Sequence, residues 1–240
     1  KSKLDSFWDE LNKKNPGRWV RGPTVGVINM MVDKEKSEFL FLEVCPTDYA
    51  VFKYGQMTGE FPGSKQLAVI GITVSKDGEL ILGERSKTGT HDGFYTLAPA
   101  GSARQDFFKD GTKDPVLDSM LYEFAEEVLC LKEILLEDDE RWRDEVTKVI
   151  IGVRYVAMID NLNFNYVPCA MLFTNMDADK LAKGVSVSKE FSSTKIIPAT
   201  ERDLIKLLED IVEERCPKTE PHTSGLIVAM LRNPKKYLNF

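Results

Sequence analysis

The sequence predicts an α/β protein: an α/β/α sandwich around a mixed β-sheet, with an N-terminal α+β extension. Three observations carry this reading. An acidic, amphipathic helix spans residues 114–131; two apolar stretches, 67–74 and 79–83, precede it; two more, 147–159 and 166–175, follow it before a further helix. Strands on either side of a helix, closed by another helix, are expected to pack as layers because each element must bury its apolar side.

A chain of 240 residues that is 42% hydrophobic can bury a substantial core, either as one elaborated domain or as a core with an appendage. Its net charge of −6 argues against a general nucleic-acid binder, which normally turns a basic face to phosphates. Small anionic ligands stay within reach if a cation mediates. The four cysteines, Cys45, Cys130, Cys169 and Cys216, form no C-x-x-C pair, so neither a zinc site nor a disulfide framework is expected. Reduced thiols point to a cytoplasmic protein. No apolar run approaches the roughly 20 residues that cross a bilayer.

In chain order, residues 1–22 read as an amphipathic helix with Leu4, Phe7, Trp8 and Leu11 on one face, broken near Asn15-Pro16-Gly17. Residues 24–32 and 38–44 are rich in β-branched and aromatic side chains and read as a hairpin across a short polar turn at 33–37. Residues 49–54 read as an added strand. The glycine-rich stretch 55–64 then marks a boundary, giving an N-terminal extension, 1–64, and a main domain, 65–240.

The main domain opens on the apolar strands 67–74 and 79–83, with Lys76-Asp77-Gly78 supplying the hairpin turn. His91, in the turn His91-Asp92-Gly93, reads first as a solvated residue and only second as a general base. A short strand, 94–98, leads to Pro99-Ala100-Gly101. In the polar connection 102–113, Arg104, Lys109 and Lys113 are candidates for phosphate contacts. Phe107 and Phe108 either stack on a base or pin the loop to the domain. The charged run 133–145 reads as an exposed turn or short helix with Trp142 turned inward, and 185–197 as partly strand. Thr200 caps a helix whose buried stripe is Leu204, Leu207, Leu208 and Ile211, and a last helix covers 224–231 with His222 just before it.

The acidic helix carries the most information. Asp114-Pro115 is a helix start, an Asx cap followed by a proline whose φ is already set. Leu117, Met120, Leu121, Phe124, Val128 and Leu131 recur at the helical period and face a core. Glu123, Glu126 and Glu127 fall at i, i+3 and i+4, on one face. Like charges at that spacing cost only about 0.2–0.5 kcal/mol per pair, so a solvated acidic face satisfies the pattern. A divalent cation held by hard carboxylate oxygens satisfies it too.

These residues resemble the motif of the Nudix hydrolase family, G-x5-E-x7-R-E-U-x-E-E-x-G-U with U bulky and apolar. Residues 122–130, YEFAEEVLC, align with its second half, and all three glutamates match. Asp114 stands at the first glutamate. Gly101 fits the opening glycine if residues 102–113 occupy a loop of five in the family, an insertion of seven. Tyr122 replaces the motif arginine and Leu129 its second glycine. The strand pattern on both sides of the motif is also similar to a Nudix domain.

The resemblance implies a Mg²⁺-dependent hydrolase, with Mn²⁺ as a substitute, that cleaves the diphosphate bond of a nucleoside diphosphate linked to another moiety. Glu123, Glu126, Glu127 and the Ala100 carbonyl are the implied metal ligands. Glu126, Glu127 and Glu190 are the implied catalytic residues, with Glu126 preferred for activating water and Glu190 as the alternative base. Arg85, at the end of the second strand, is the implied phosphate contact beside Arg104. By analogy with Nudix pyrophosphatases, the extension would build a homodimer; the alternative is extra packing on the same monomer. The alternative is a Nudix-fold nucleotide-binding or scaffold protein without turnover, for which Tyr122 and Leu129 speak.

Overall fold

The computed structural model describes residues 2–14, 21–32, 40–60, 63–86, 92–109, 112–137, 140–161, 165–216 and 218–238. The breaker at 15–17, the turn at 33–37 and His91 lie outside the described residues, as does part of the turn at 160–163. The chain packs as two compact units, one made of Lys1–Val69, Ser102–Ser119 and Ile159–Val167, the other of Ile70–Gly101, Met120–Met158 and Pro168–Phe240.

The first unit begins with α1 (Lys3–Lys14), started by a reciprocal cap: the Asp5 amide donates to Ser2 Oγ and the Ser2 amide to the Asp5 carboxylate. Trp8 and Leu11 are buried, and they form a cluster with Ala50, flanked by Leu4, Phe7 and Tyr49. β1 (Pro23–Val32) and β2 (Leu40–Asp48) pair antiparallel from Pro23↔Asp48 to Val32↔Leu40, the hairpin expected from their β-branched and aromatic residues. β1 also pairs with the start of β3 (Lys65–Val74), at Gly26↔Gln66 and Val27↔Lys65. Val25, Val27, Leu67 and Ala103 form this unit's second cluster, with Phe108, Val116 and Tyr166 packed against it. Phe108 therefore pins its loop rather than offering a ring to a base.

The strand expected at 49–54 is instead the start of a helix, α2 (Tyr49–Thr58). Aromatic and branched side chains favour a strand locally, but both ends of this segment are capped for a helix. Asp48 accepts from the Ala50 amide, and Gly59 closes the other end at φ 76, a left-handed conformation that glycine adopts without steric cost. Ala50 and Phe52 are fully buried, and packing outweighs propensity.

In the second unit β4 (Glu79–Arg85) is central. It pairs antiparallel with β3 at Val74↔Leu80, with β5 (Tyr95–Leu97) at Leu82↔Leu97, and with β9 (Phe191–Pro198) along Glu79↔Pro198 to Arg85↔Phe191. A parallel bridge joins Tyr95 to Thr219. The β3–β4 turn follows its sequence, with Gly78 at φ 75 and the Ser75 hydroxyl accepting from the Asp77 and Glu79 amides. β6 (Ala100–Ser102) comes after the Pro99 turn, which β3 holds by bonds from the Gly71 amide to Pro99 O and from Thr73 Oγ1 to Ala98 O.

The acidic helix is α3 (Pro115–Glu123), capped by the Asp114 carboxylate on the Leu117 amide. It does not run on as α-helix. Residues Phe124–Val128 form a π-helical turn, ended by Cys130 in a left-handed conformation at φ 56. The charged run beyond is two helices, α4 (Lys132–Glu137) and α5 (Arg141–Val149), so the next strand starts at Ile150 rather than 147. Trp142 and Val146, one turn apart and both buried, give α5 its packed face.

β7 (Ile150–Asn161) and β8 (Asn165–Thr174) pair with each other as predicted. A helix absent from the sequence reading follows, α6 (Ala178–Val187), before β9. Its buried residues Ala178, Leu181, Ala182 and Val185 have helical spacing, a signal obscured by the valines near its end. α6 packs on β4, β9 and the π turn; α7 (Glu201–Val212) lies against β9 and α8 (Pro221–Arg232); α8 packs on β5 and on α9 (Pro234–Tyr237). Thr200 caps α7, accepting from the Asp203 amide.

The α6 contact sets where the π turn lies. A methyl group at Gly184 would sit 1.9 Å from the Val128 carbonyl oxygen, which is backbone and cannot rotate away. Gly184→Ala should therefore lower stability despite alanine's better helix propensity, by about 1–3 kcal/mol as for other overpacked sites. Urea denaturation measures this; an unchanged or higher midpoint would show that the π turn is not held by α6.

Candidate functional site

The second unit gathers charged side chains from four places: the end of β4, the π turn, the tight turn before β9 and the start of α8. Arg85 ends β4. Its side chain is 13% exposed, and three carboxylates surround its guanidinium. Glu127 Oε1 is 3.8 Å and Glu190 Oε2 3.4 Å from Nη1, and Glu220 Oε1 is 3.5 Å from Nε. The ring of Phe191 packs 5.2 Å from the guanidinium carbon. That ring fits because β4 has no side chain at Gly83, where a methyl group would meet it at 2.3 Å.

Glu127 is the most enclosed of these acids, its side chain 4% exposed. Its Oε2 accepts the Ala100 amide at 2.9 Å, tying the π turn to β6. Burial pushes its carboxyl up to about 7, against the opposing pull of Arg85 and the Ala100 N–H; Glu190 and Glu126 add repulsion. The magnitudes explain why burial wins. Attraction to a guanidinium at 3.8 Å amounts to about 4 kcal/mol at an effective dielectric near 20, whereas taking a carboxylate out of water costs several kcal/mol. For Arg85 burial disfavours the charge, but Glu127, Glu220, Glu190 and Glu123 outweigh it and hold the guanidinium firmly protonated.

Glu123 lies one turn before Glu127. A methyl group at Gly101 would fall 2.2 Å from its carboxyl carbon, so the bare glycine is what lets this side chain lie against β6. Glu126 is half-buried. Glu190 stands in the turn between α6 and β9, its amide donating to Ser188 Oγ, and is the more open of Arg85's partners with a side chain 46% exposed. The structure thus brings together Arg85, Ala100, Glu127 and Glu190 from among the residues singled out by sequence. Arg104 belongs to the first unit, where it pairs with Asp106 at 3.2 Å and lies 5.7 Å from the Phe107 ring.

One member of the cluster, Glu220, had no sequence argument. Glu220 stands at the N-cap position of α8 and is 7% exposed; its side chain turns away from the helix, with Oε2 accepting from Thr96 Oγ1 at 3.0 Å. Its signal was the acid directly before Pro221, the ordering that starts a helix. Tyr122, where the aligned motif has arginine, turns to the core and packs edge-on against Trp142, ring centroids 5.4 Å apart.

A hard divalent cation suits this donor set in kind. The carboxylates outnumber the one guanidinium, and the Gly101 cradle leaves room for Glu123. As the side chains stand, no three His, Cys, Asp or Glu groups among the described residues meet as ligands of one ion, and Arg85 supplies the positive charge.

In sequence the chain matches no protein-family profile and no curated protein. In structure it is similar to Tm1382, a candidate Nudix hydrolase, with a TM-score of 0.53 at 12% identity, covering 88% of this chain and 99% of that one. A Nudix hydrolase from Alicyclobacillus acidocaldarius gives a TM-score of 0.47 at 14% identity over 71% of this chain and 92% of its own. The Nudix domain of Shewanella oneidensis NrtR, solved with ADP ribose, gives 0.42 at 13% over 78% and 99%. At the first of these scores the likeness is one of overall architecture, and it agrees with the motif read from residues 101–130: this chain has the Nudix fold.

Proposed function

We propose that this protein is a hydrolase that cleaves the diphosphate bond of a nucleoside diphosphate linked to another moiety, with Mg²⁺ or Mn²⁺ as its cofactor. The observation that carries the reading is the meeting of Glu127, Ala100, Arg85 and Glu190 in one cluster, on a fold whose motif acids fall at the end of α3 and on the π turn that follows it. Glu123, Glu126, Glu127 and the Ala100 carbonyl would hold the metal, which when bound supplies Lewis-acid neutralisation of the diphosphate and a more acidic water. Arg85 keeps two like-charged carboxylates at close quarters. Glu127, in its dry setting, readily keeps a proton. Glu190, half open to solvent beside Glu127, suits the base as well as Glu126 does, and comparing Glu126→Gln with Glu190→Gln separates them.

A second reading, a nucleotide-binding or scaffold protein without turnover, has two observations in its favour: Arg85 sits among the acids, and Tyr122 packs against the buried Trp142. The extension 1–64 as a dimerisation element and a cytoplasmic location complete the proposal. Among the described residues no helix is long and apolar enough to cross a membrane.

Release of phosphate-containing products from UDP-glucose, ADP-ribose, diadenosine polyphosphate and coenzyme A, with and without Mg²⁺, tests the activity. Glu127→Gln should abolish the Mg²⁺-dependent part, a loss of at least 100-fold, while leaving the fold intact. Turnover equal to wild type would remove Glu127 from the site. Metal binding by calorimetry with no turnover on any compound would favour the second reading.

Stability carries a separate signature. Because the folded Glu127 carboxyl titrates near 7 rather than at the ordinary value of 4.5, the folded chain binds the proton more tightly than the unfolded chain between those values. Stabilisation from the protonated form is complete below pH 4.5 and is lost as pH rises through 7. In metal-free buffer, wild type should lose up to about 3 kcal/mol relative to Glu127→Gln from pH 4.5 to pH 7.5. Urea midpoints at the two pH values test this, and a pH-independent difference between the proteins would contradict it.

A further inference from the structure

Arg85 has two roles to fill at once: its Nη1 faces both Glu127 and Glu190, while its Nε faces Glu220. A guanidinium is planar, so fixing Nε on one partner fixes the direction in which Nη1 can point. Glu220 is well suited to be the fixed partner. It directly precedes α8, its amide donates to Tyr95 O at 2.9 Å, and its Oε2 takes the Thr96 hydroxyl at 3.0 Å. Its neighbour Thr223 accepts the Leu97 amide at 3.2 Å, so the start of α8 is sewn to β5. Glu190, by contrast, lies in a turn and is 46% exposed.

We propose that Glu220 is a positioning residue: it anchors Arg85 through Nε, with Phe191 covering the guanidinium face, so that Nη1 bridges Glu127 and Glu190 and holds the two acids in register. This deepens the hydrolase reading and rests on it for its effect on turnover. Glu220 itself is set back behind Arg85 and acts only through it.

The test reads the anchor directly. In ¹⁵N spectra of arginine side chains, the Arg85 Nε–H is assigned by its loss in Arg85→Lys, and its exchange with water is compared in wild type, Glu220→Gln and Thr96→Val. Thr96→Val is nearly isosteric and removes only the hydroxyl that orients Glu220, so it keeps the test open if Glu220→Gln folds poorly. Exchange should accelerate at least tenfold in Glu220→Gln and by a smaller factor in Thr96→Val. On the panel compound that wild type hydrolyses fastest, kcat should fall at least tenfold in Glu220→Gln with KM within twofold. Unchanged exchange in both variants overturns the proposal, as does accelerated exchange with unchanged kcat. If wild type hydrolyses nothing on the panel, the hydrolase reading fails by itself, and the exchange rates alone decide whether Glu220 anchors Arg85.

Discussion

A carboxylate taken out of water must find a proton, a counter-charge or a set of donors, and Glu127 draws on all three. Its desolvation is opposed by one guanidinium at the edge of ion-pair distance and one backbone N–H, and the balance leaves the carboxyl poised near neutrality. Each compensating group comes from a different element: Ala100 from β6, Arg85 from β4, and, behind Arg85, Glu220 from α8.

The backbone around it is shaped to the same end. Three glycines stand where a side chain would collide with something the site needs: Gly101 beside Glu123, Gly83 beneath Phe191 and Gly184 against Val128. Their common role is close approach, not flexibility. The π turn has a related logic. The widened turn over residues 124–128 buries Phe124, Ala125, Glu127 and Val128 and ends in the left-handed Cys130, whose thiol reaches Gly184 O. Such turns are frequent at functional positions because they re-aim a side chain without breaking the helix.

Arg85 gives the site its ambiguity. The sequence offered it as a phosphate contact at the end of a strand; in the folded chain it is shielded from water and shared among three acids. A cation so placed performs part of a metal ion's electrostatic work, allowing carboxylates to approach one another in a poorly polarisable setting.

Local signals in the sequence were enough to determine the α/β class, the hairpin about Asp77-Gly78, the capped acidic helix and the gathering of Glu123, Glu126 and Glu127 within one turn, because periodicity, caps and turn residues act over a few neighbours; Ala100 and Glu190 became candidates only through the resemblance to the Nudix family. Residues 49–54 became helix against their own propensity, and α6 formed where valines pointed to strand, because burial against distant partners is worth more than propensity. Only the tertiary structure decided that Glu220 meets Thr96, 124 positions away along the chain, and Arg85 beyond it. The physical reason is range: a hydrogen bond or ion pair is set by distances of a few ångströms in space, and sequence spacing carries that information only within a turn or a hairpin.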